Sequence, residues 1–174
     1  RDSANAIQMA MDSGASTVFL PGFYALNSTV TLGPKVRRVV GVGGWIDYRG
    51  NAKPDIRVGE GDSPAVVFEH FSYIHGGIEI DTNRTIYLRS VADCDLTFGP
   101  SAVGNELFFE DVVTHNLVLV NQRVWARQLN IENEGTHLIN EGGHLWVLGY
   151  KTERGGTLLE SRNRAHSEIL GGFS

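Results

Sequence analysis

The chain has 174 residues, with 15 lysines and arginines against 20 aspartates and glutamates, and its net charge is −5. This length is sufficient for one domain with a buried core. The negative charge and the absence of a long basic run exclude an electrostatic nucleic-acid-binding face. No apolar stretch approaches the roughly 20 residues needed to span a membrane. The single cysteine, Cys94, excludes an internal disulfide and a cysteine-rich metal site.

The N-terminal segment predicts a short amphipathic helix over Ala4–Asp12. Asp2 or Ser3 can cap its first turn, apolar side chains recur on one face, and Gly14 ends it. An amphipathic helix is a common device for covering the first coil of a repeat domain, which otherwise exposes its core and its edge. We therefore expect residues 1–14 to be a capping helix.

Short apolar runs separated by glycine, proline and asparagine follow the helix, and they predict short strands. These runs are residues 17–20, 23–26, 29–32 and 38–40. The pattern loosens after them, and we expect residues near 45–61 to leave the coil as an excursion. Residues 15–64 would then be the first coils of the domain, and residues 65–174 would be its regular coils.

The regular part contains an internal repeat. A short apolar motif is centred on Tyr87, Phe108, Trp125 and Trp146, at successive spacings of 21, 17 and 21 residues, and a related motif at Ile169 follows Val147 by 22 residues. A period near 21 residues is too short for a helix-turn-helix repeat. It is typical of one coil of a parallel β-solenoid, in which stacked coils bury a continuous core. We therefore predict a single parallel β-helix domain over residues 1–174, and we expect it to be an excerpt of a longer chain, because the sequence begins at Arg1 rather than Met and stops halfway through a coil.

Several motifs resemble a known superfamily. They are Asp2-Ser3-Ala4, Gly14-Ala15, Thr17-Val18-Phe19-Leu20-Pro21-Gly22 and Gly41-Val42-Gly43. Together they resemble the opening segment of the pectate-lyase-like right-handed parallel β-helix proteins, which include polygalacturonase- and rhamnogalacturonase-related enzymes and phage tailspikes. Residues 145–153 and 168–173 resemble bacterial members. The resemblance implies a carbohydrate-active module that is extracellular or on the cell surface and binds or cleaves acidic polysaccharide. The Asn-Thr-Asp, paired-Asp, Gly-His-Gly and Arg-x-Lys signatures of polygalacturonases do not occur in this sequence.

Residues one period apart lie directly above one another in a solenoid, about 4.8 Å apart. This alignment places Tyr87, Phe108, Trp125 and Trp146 in one column, which is the predicted substrate-binding surface. The residues on either side of each ring are aliphatic except for Phe109. If that aliphatic set faces the core, the rings form an exposed strip, on which sugar rings could stack or a partner subunit could dock. Alternatively, the rings are the interior set, or a loop near residues 45–61 covers them.

The same alignment predicts a second column, which contains charged side chains. His115, Glu132 and Glu153 occupy equivalent positions, Lys151 flanks Glu153, and Arg127 lies on the preceding strand. Carboxylates one coil apart approach the roughly 5 Å separation of a retaining glycosidase pair, and like charges that close would raise one pKa. Glu132 and Glu153 are thus the candidate catalytic pair, with Arg127 or Lys151 as the base if the chemistry is that of a lyase. The alternative is a solvated turn whose charges offset one another.

Asp93 and Asp95 bring two more carboxylates into the preceding coil, in register with Thr114 and Asn116. Calcium prefers carboxylate and carbonyl oxygens, and a lyase of the pectate type would use such an ion to bind a uronate. The two aspartates are therefore a candidate Ca²⁺ site.

Two functions remain open from the sequence. One is a glycoside hydrolase, polysaccharide lyase or polysaccharide-binding module. The other is a non-catalytic stem, such as a homotrimer in which the aromatic column is the subunit interface.

Overall fold

The computed structural model describes residues 2–49 and 53–173. This part of the chain contains the helix α1 (Ala4–Asp12), a 3-10 turn (Pro100–Ala102) and fifteen strands. The strands are β1 (Thr17–Phe19), β2 (Phe23–Leu26), β3 (Val30–Thr31), β4 (Arg38–Tyr48), β5 (Ile56–Val58), β6 (Ala65–Ile80), β7 (Thr85–Val91), β8 (Cys94–Phe98), β9 (Glu106–Thr114), β10 (Leu117–Val120), β11 (Arg123–Ile131), β12 (Gly135–Glu141), β13 (His144–Lys151), β14 (Gly156–Arg162) and β15 (His166–Phe173).

The strands stack in parallel, each on its counterpart in the next coil. One long wall runs in the order β1-β4-β6-β7-β9-β11-β13-β15, and β10-β12-β14 form a second wall. Trp125 pairs with Phe108 on one side and with Trp146 on the other. This confirms the predicted parallel β-solenoid with coils of about 21 residues and an N-terminal helix. It also confirms the alignment inferred from the sequence spacing.

The core lies inside the coils because alternate residues of each strand point inward. On β9, for example, Leu107 is 0% exposed and Phe109 is 3% exposed. The apolar interior is continuous from Ile7 and Met11 of α1 to Tyr150 in β13. Full burial of each such side chain contributes about 1.5–3 kcal/mol.

The helix α1 closes the N-terminal end as predicted. The carboxylate of Asp2 accepts hydrogen bonds from the backbone N–H groups of Ala4 (3.0 Å) and Asn27 (3.2 Å). Ser3 is the N-cap residue, but its side chain makes no capping bond. No helix in the described residues is long and apolar enough to cross a membrane.

A bend divides each coil of the long wall into two faces. One residue at the bend has a left-handed backbone in every coil from β6 to β15; the residues are His70, Ser90, Asp111, Gln128, Gly149 and Gly171. The pairing of β11 with β13 skips this position, since it runs from Arg127↔Leu148 directly to Leu129↔Tyr150. A left-handed residue that interrupts an extended strand re-aims the residues beyond it. The aromatic column therefore lies before the bend, whereas Glu132 and Glu153 lie beyond it.

The predicted excursion near residues 45–61 is narrower than the sequence suggests. Trp45 begins the last part of β4, which pairs with β2, and Ile56–Val58 pairs with β6. The coil is nevertheless long, because Arg38 pairs with Val67, a separation of 29 residues (67 − 38). Residues 50–52, in the middle of the predicted excursion, lie outside the described residues.

Candidate functional site

The aromatic ladder is formed by Tyr87, Phe108, Trp125 and Trp146, on β7, β9, β11 and β13. Successive ring centroids are 4.8, 4.9 and 5.4 Å apart, and the ring planes are within 11° of parallel. The strand spacing of a β-sheet is about 4.8 Å, so each coil places one ring over the next. The backbone of the solenoid thus dictates the pitch of the ladder.

The ladder is on the outside of the wall. Its in-line neighbours Ile86, Leu107, Val124 and Leu145 are all at most 1% exposed. Tyr87 and Trp146, the two ends of the ladder, are 37% and 36% exposed. The rings are therefore not the interior set, and no described segment covers them. Of the alternatives that the sequence left open, ligand binding and partner contact remain.

The way in which the rings stack determines what they offer to a ligand. Carbon atoms in contact lie about 3.5–4.0 Å apart, so parallel rings with centroids 4.8–5.4 Å apart must be displaced sideways over one another. Each inner ring is partly covered by its neighbours. Trp146 differs, because its register partner in the next coil is Glu168 rather than an aromatic residue. Trp146 therefore has a ring face that no further ladder ring covers.

Charged side chains border the ladder on the bend side. Glu110 forms ion pairs with the guanidinium groups of Arg89 (3.3 Å) and Arg127 on the neighbouring strands. Leu148 and Leu170 continue this column, and both are exposed. Arg127, which was predicted as a catalytic base, belongs to this border. The structure does not bring it to Glu132 or Glu153.

A second border runs along the other side of the ladder. Arg123, His144 and His166 are in register with one another at the starts of β11, β13 and β15. The guanidinium of Arg123 lies 5.6 Å from the centre of the Trp125 ring and 3.4 Å from a carboxylate oxygen of Glu106. The imidazoles of His144 and His166 are stacked with their centroids 5.2 Å apart.

Two open grooves meet at Trp146. The larger, of about 400 Å³, is lined by the four ladder rings and by the border that contains Arg89 and Arg127. The smaller, of about 330 Å³, lies between the two histidines and Trp146. Glu168 lines both grooves. An apolar floor with a few polar groups at its rim is the usual composition of a binding site for a small molecule.

The predicted catalytic carboxylates are brought together, but in an unfavourable environment for acid–base chemistry. We call Glu132, Lys151 and Glu153 the carboxylate turn. The Lys151 ammonium contacts Glu153 directly and lies 3.8 Å from Glu132. The hydrogen bond between Lys151 and Glu153 lowers the pKa of Glu153 and raises the pKa of Lys151. Both groups are thus held in their charged forms, so Glu153 is a poor general acid and Lys151 a poor base.

His115 bridges the two aspartates of the candidate calcium site, whereas the sequence alignment predicts His115 in the column of Glu132 and Glu153. The ring nitrogens of His115 lie 3.3 Å from a carboxylate oxygen of Asp93 and 3.0 Å from one of Asp95. Burial raises the pKa of Asp93, and His115 partly offsets this effect. Within residues 2–49 and 53–173, no group of three or more His, Cys, Asp or Glu side chains is arranged to hold a metal ion. Asp93, His115 and Asp95 form an Asp–His–Asp cluster, and calcium binding by the two aspartates stays a prediction.

A second aromatic stack was missed. Phe23, Trp45 and Tyr73 are in register, with ring centroids 6.1 and 4.6 Å apart, and the Tyr73 hydroxyl lies 2.6 Å from Nδ1 of His75. Their spacings in the sequence are 22 and 28 residues. The repeat is not visible in the sequence because the coil at residues 38–67 is long. The sequence pattern instead predicts that Trp45 lies in an excursion.

Asp55 was also missed. It is 1% exposed, its Oδ2 accepts a hydrogen bond from the Gly76 N–H at 2.6 Å, and no group of the described residues forms a hydrogen bond with its Oδ1. Burial raises the pKa of Asp55 to about 6. Only the acidic residue type is visible in the sequence, whereas its burial depends on the packing of β5 against β6.

The fold and the site define the protein as a parallel β-solenoid with an aromatic ladder on the outside of its long wall. No known family model, curated protein or solved structure matches the chain.

Proposed function

We propose that the aromatic ladder is a polysaccharide-binding surface, with a sugar ring stacked on the face of Trp146 that no further ladder ring covers. The carrying observation is the row of four parallel rings on the outer side of the wall, which ends at Trp146, a partly exposed tryptophan with one face that no further ladder ring covers.

The chemistry of the surface suits a sugar. A pyranose ring presents C–H groups on its faces and hydroxyl groups at its edges, so it needs an apolar platform beside donors and acceptors. The exposed face of Trp146 provides the platform. The carboxylate of Glu168 can accept hydrogen bonds from hydroxyl groups, and the guanidinium groups of Arg89 and Arg127 can donate them.

Binding is favoured over cleavage at this surface. Hydrolysis of a glycosidic bond requires two carboxyl groups with different protonation states beside the sugar. The carboxylate turn lies beyond the bend, where Lys151 holds Glu153 in its charged form. Glu110 in the groove is paired with two arginines. The sequence resemblance to the pectate-lyase-like superfamily supports a polysaccharide ligand and an extracellular or cell-surface location.

One observation favours a second candidate, a structural stem that associates through the same strip. The apolar surface continues past Trp146 to Leu148 and Leu170, which are both more than half exposed. Contiguous apolar surface of this kind also marks contacts between subunits. In a homotrimeric stem, the ladder would be buried between copies.

The proposal is tested by isothermal titration of the protein with a panel of acidic and neutral polysaccharides. Trp146→Ala should weaken binding of the preferred polysaccharide at least tenfold. Trp45→Ala is the matched control, because Trp45 is 43% exposed in the second aromatic stack, away from the ladder. Equal losses in both variants would contradict a site at the ladder. A stable trimer that binds no polysaccharide and becomes monomeric on Trp146→Ala would establish the stem instead.

A further inference from the structure

Glu168 lies beside the ring face of Trp146 that no further ladder ring covers. The two residues are register partners on β13 and β15, so their backbones are one coil, about 4.8 Å, apart. Glu168 lines the larger groove with the ladder rings and the smaller groove with His144 and His166. A sugar ring stacked on the free face of Trp146 would thus adjoin the Glu168 carboxylate.

The negative charge of Glu168 is not compensated by the described residues, since it forms no ion pair with any of them. The two other glutamates beside the ladder, Glu106 and Glu110, each pair with at least one arginine. Among the described residues that line the smaller groove, Glu168 is the only aspartate, glutamate, lysine or arginine. The uncompensated charge at the free face of Trp146 is therefore a carboxylate.

The arginines that border the ladder do not reverse this charge. Arg123 and Arg127 lie on β11, two coils before β15, which corresponds to a backbone separation of roughly 10 Å from Glu168. Both guanidinium groups are also engaged in ion pairs with glutamates. Arg89, on β7, is two coils further away. A charged group of a ligand at the free face of Trp146 would thus meet a carboxylate before it meets a guanidinium.

We infer that Glu168 determines the specificity of the ladder, because it lets the surface at Trp146 accept uncharged sugar units and makes it reject uronates. The inference rests on the proposed function and adds to it the class of ligand, a neutral polysaccharide. The hydroxyl groups of an uncharged sugar donate hydrogen bonds to a carboxylate, whereas the carboxylate of a uronate cannot donate one and repels it. This ligand class differs from the acidic polysaccharides that the sequence resemblance implies.

Isothermal titration with matched pairs of oligosaccharides, which share a backbone and differ in carboxylate groups, tests the inference. The pairs are cello-oligosaccharides and their C6-oxidised form, xylo-oligosaccharides without and with glucuronate branches, and oligogalacturonates and their carboxyl-reduced form. At pH 8, where histidine is ordinarily uncharged, the neutral member should bind about fivefold more tightly. This factor corresponds to the repulsion of two unit charges about 4 Å apart in water. The difference should shrink in 1 M salt, which screens charges.

Glu168→Gln should make both members of a pair bind equally and should retain the affinity for the neutral member, because the glutamine carbonyl still accepts hydrogen bonds. Glu134→Gln, at an exposed turn between β11 and β12, is the matched control and should keep the wild-type preference. Thermal melts check that both variants fold. Acidic oligosaccharides that bind the wild type as tightly as their neutral partners, or a preference that persists in Glu168→Gln, would overturn this inference alone and leave the proposed function standing. Binding of no polysaccharide would overturn both.

Discussion

The aromatic ladder and the carboxylate turn are built in the same way, yet they offer different chemistry. Each is a column in which one-coil stacking places like residues above one another. In the ladder, the rings pack on one another and still leave outer surface uncovered at Tyr87 and Trp146. In the carboxylate turn, the Lys151 ammonium contacts Glu153 and lies 3.8 Å from Glu132, so it offsets one of their two negative charges.

The difference lies in what the stacked groups do to each other. Parallel rings attract one another in an offset stack, so a column of rings is stable and keeps its outer edge free for a ligand. Stacked carboxylates repel one another, so a column of carboxylates is stable when a cation lies within it. In a β-solenoid, an uncompensated acidic column is therefore more informative about catalysis than a compensated one.

The largest effect on stability is expected for the buried residues of the strands that carry the ladder. Leu107→Ala removes a fully buried side chain and should lower the free energy of unfolding by about 2–5 kcal/mol. Phe108→Ala, one residue later on the outer side, should cost only about 1 kcal/mol through lost stacking. Urea unfolding at pH 7 measures both changes. Equal costs would mean that the ladder is part of the core and is not an available surface.

A smaller effect on stability is expected at Asp55, a buried carboxylate that forms no salt bridge with the described residues, whereas Glu153 pairs with Lys151. Its folded-state pKa of about 6 lies above the ordinary value of 3.8, so the folded protein binds this proton more tightly than the unfolded chain does. The stabilisation is complete below about pH 4 and is lost as the pH rises through 6. The shift from 3.8 to about 6 corresponds to about 3 kcal/mol.

Urea unfolding at pH 4, 5.5 and 7 tests this sign. The wild type should lose about 2 kcal/mol between pH 4 and pH 7 relative to Asp55→Asn, which cannot titrate. Asp12→Asn on the surface of α1 is the control and should leave the wild-type profile unchanged. A wild-type profile that runs parallel to that of Asp55→Asn would mean that burial does not raise the pKa of Asp55.

The sequence predicts those features that depend on the coil period. Tyr87, Phe108, Trp125 and Trp146 could be aligned from spacing alone, because a parallel solenoid converts equal spacing into vertical stacking. The capping helix was predictable from an amphipathic run with a glycine after it. The second aromatic stack was not, because Trp45 and Tyr73 are separated by the longest coil.

Features that depend on the direction of side chains could not be predicted in the same way. Arg127 and Glu132 are five residues apart, but the left-handed backbone at Gln128 places them on different faces. A glutamine at this position gives no sign of a positive φ, whereas Gly149 in the next coil does. The bridge from His115 to Asp93 and Asp95 likewise depends on the lateral reach of a side chain between coils.

The smallest effect on stability is expected at the carboxylate turn, and variants there test whether it differs from the ladder in function. Because Lys151 lowers the pKa of Glu153, Glu153 stabilises the fold above its ordinary pKa, and this contribution is lost as the pH falls through the lowered value. Glu153→Gln should therefore lower the melting temperature slightly at pH 7, and not at pH 3 or in 1 M salt, which screens surface charges. Lys151→Met should cost more at pH 7, because it leaves Glu132 and Glu153 facing each other without a cation. Neither variant should change polysaccharide binding. A loss of binding or of turnover in Glu153→Gln would mean that the carboxylate turn, and not the ladder alone, meets the ligand.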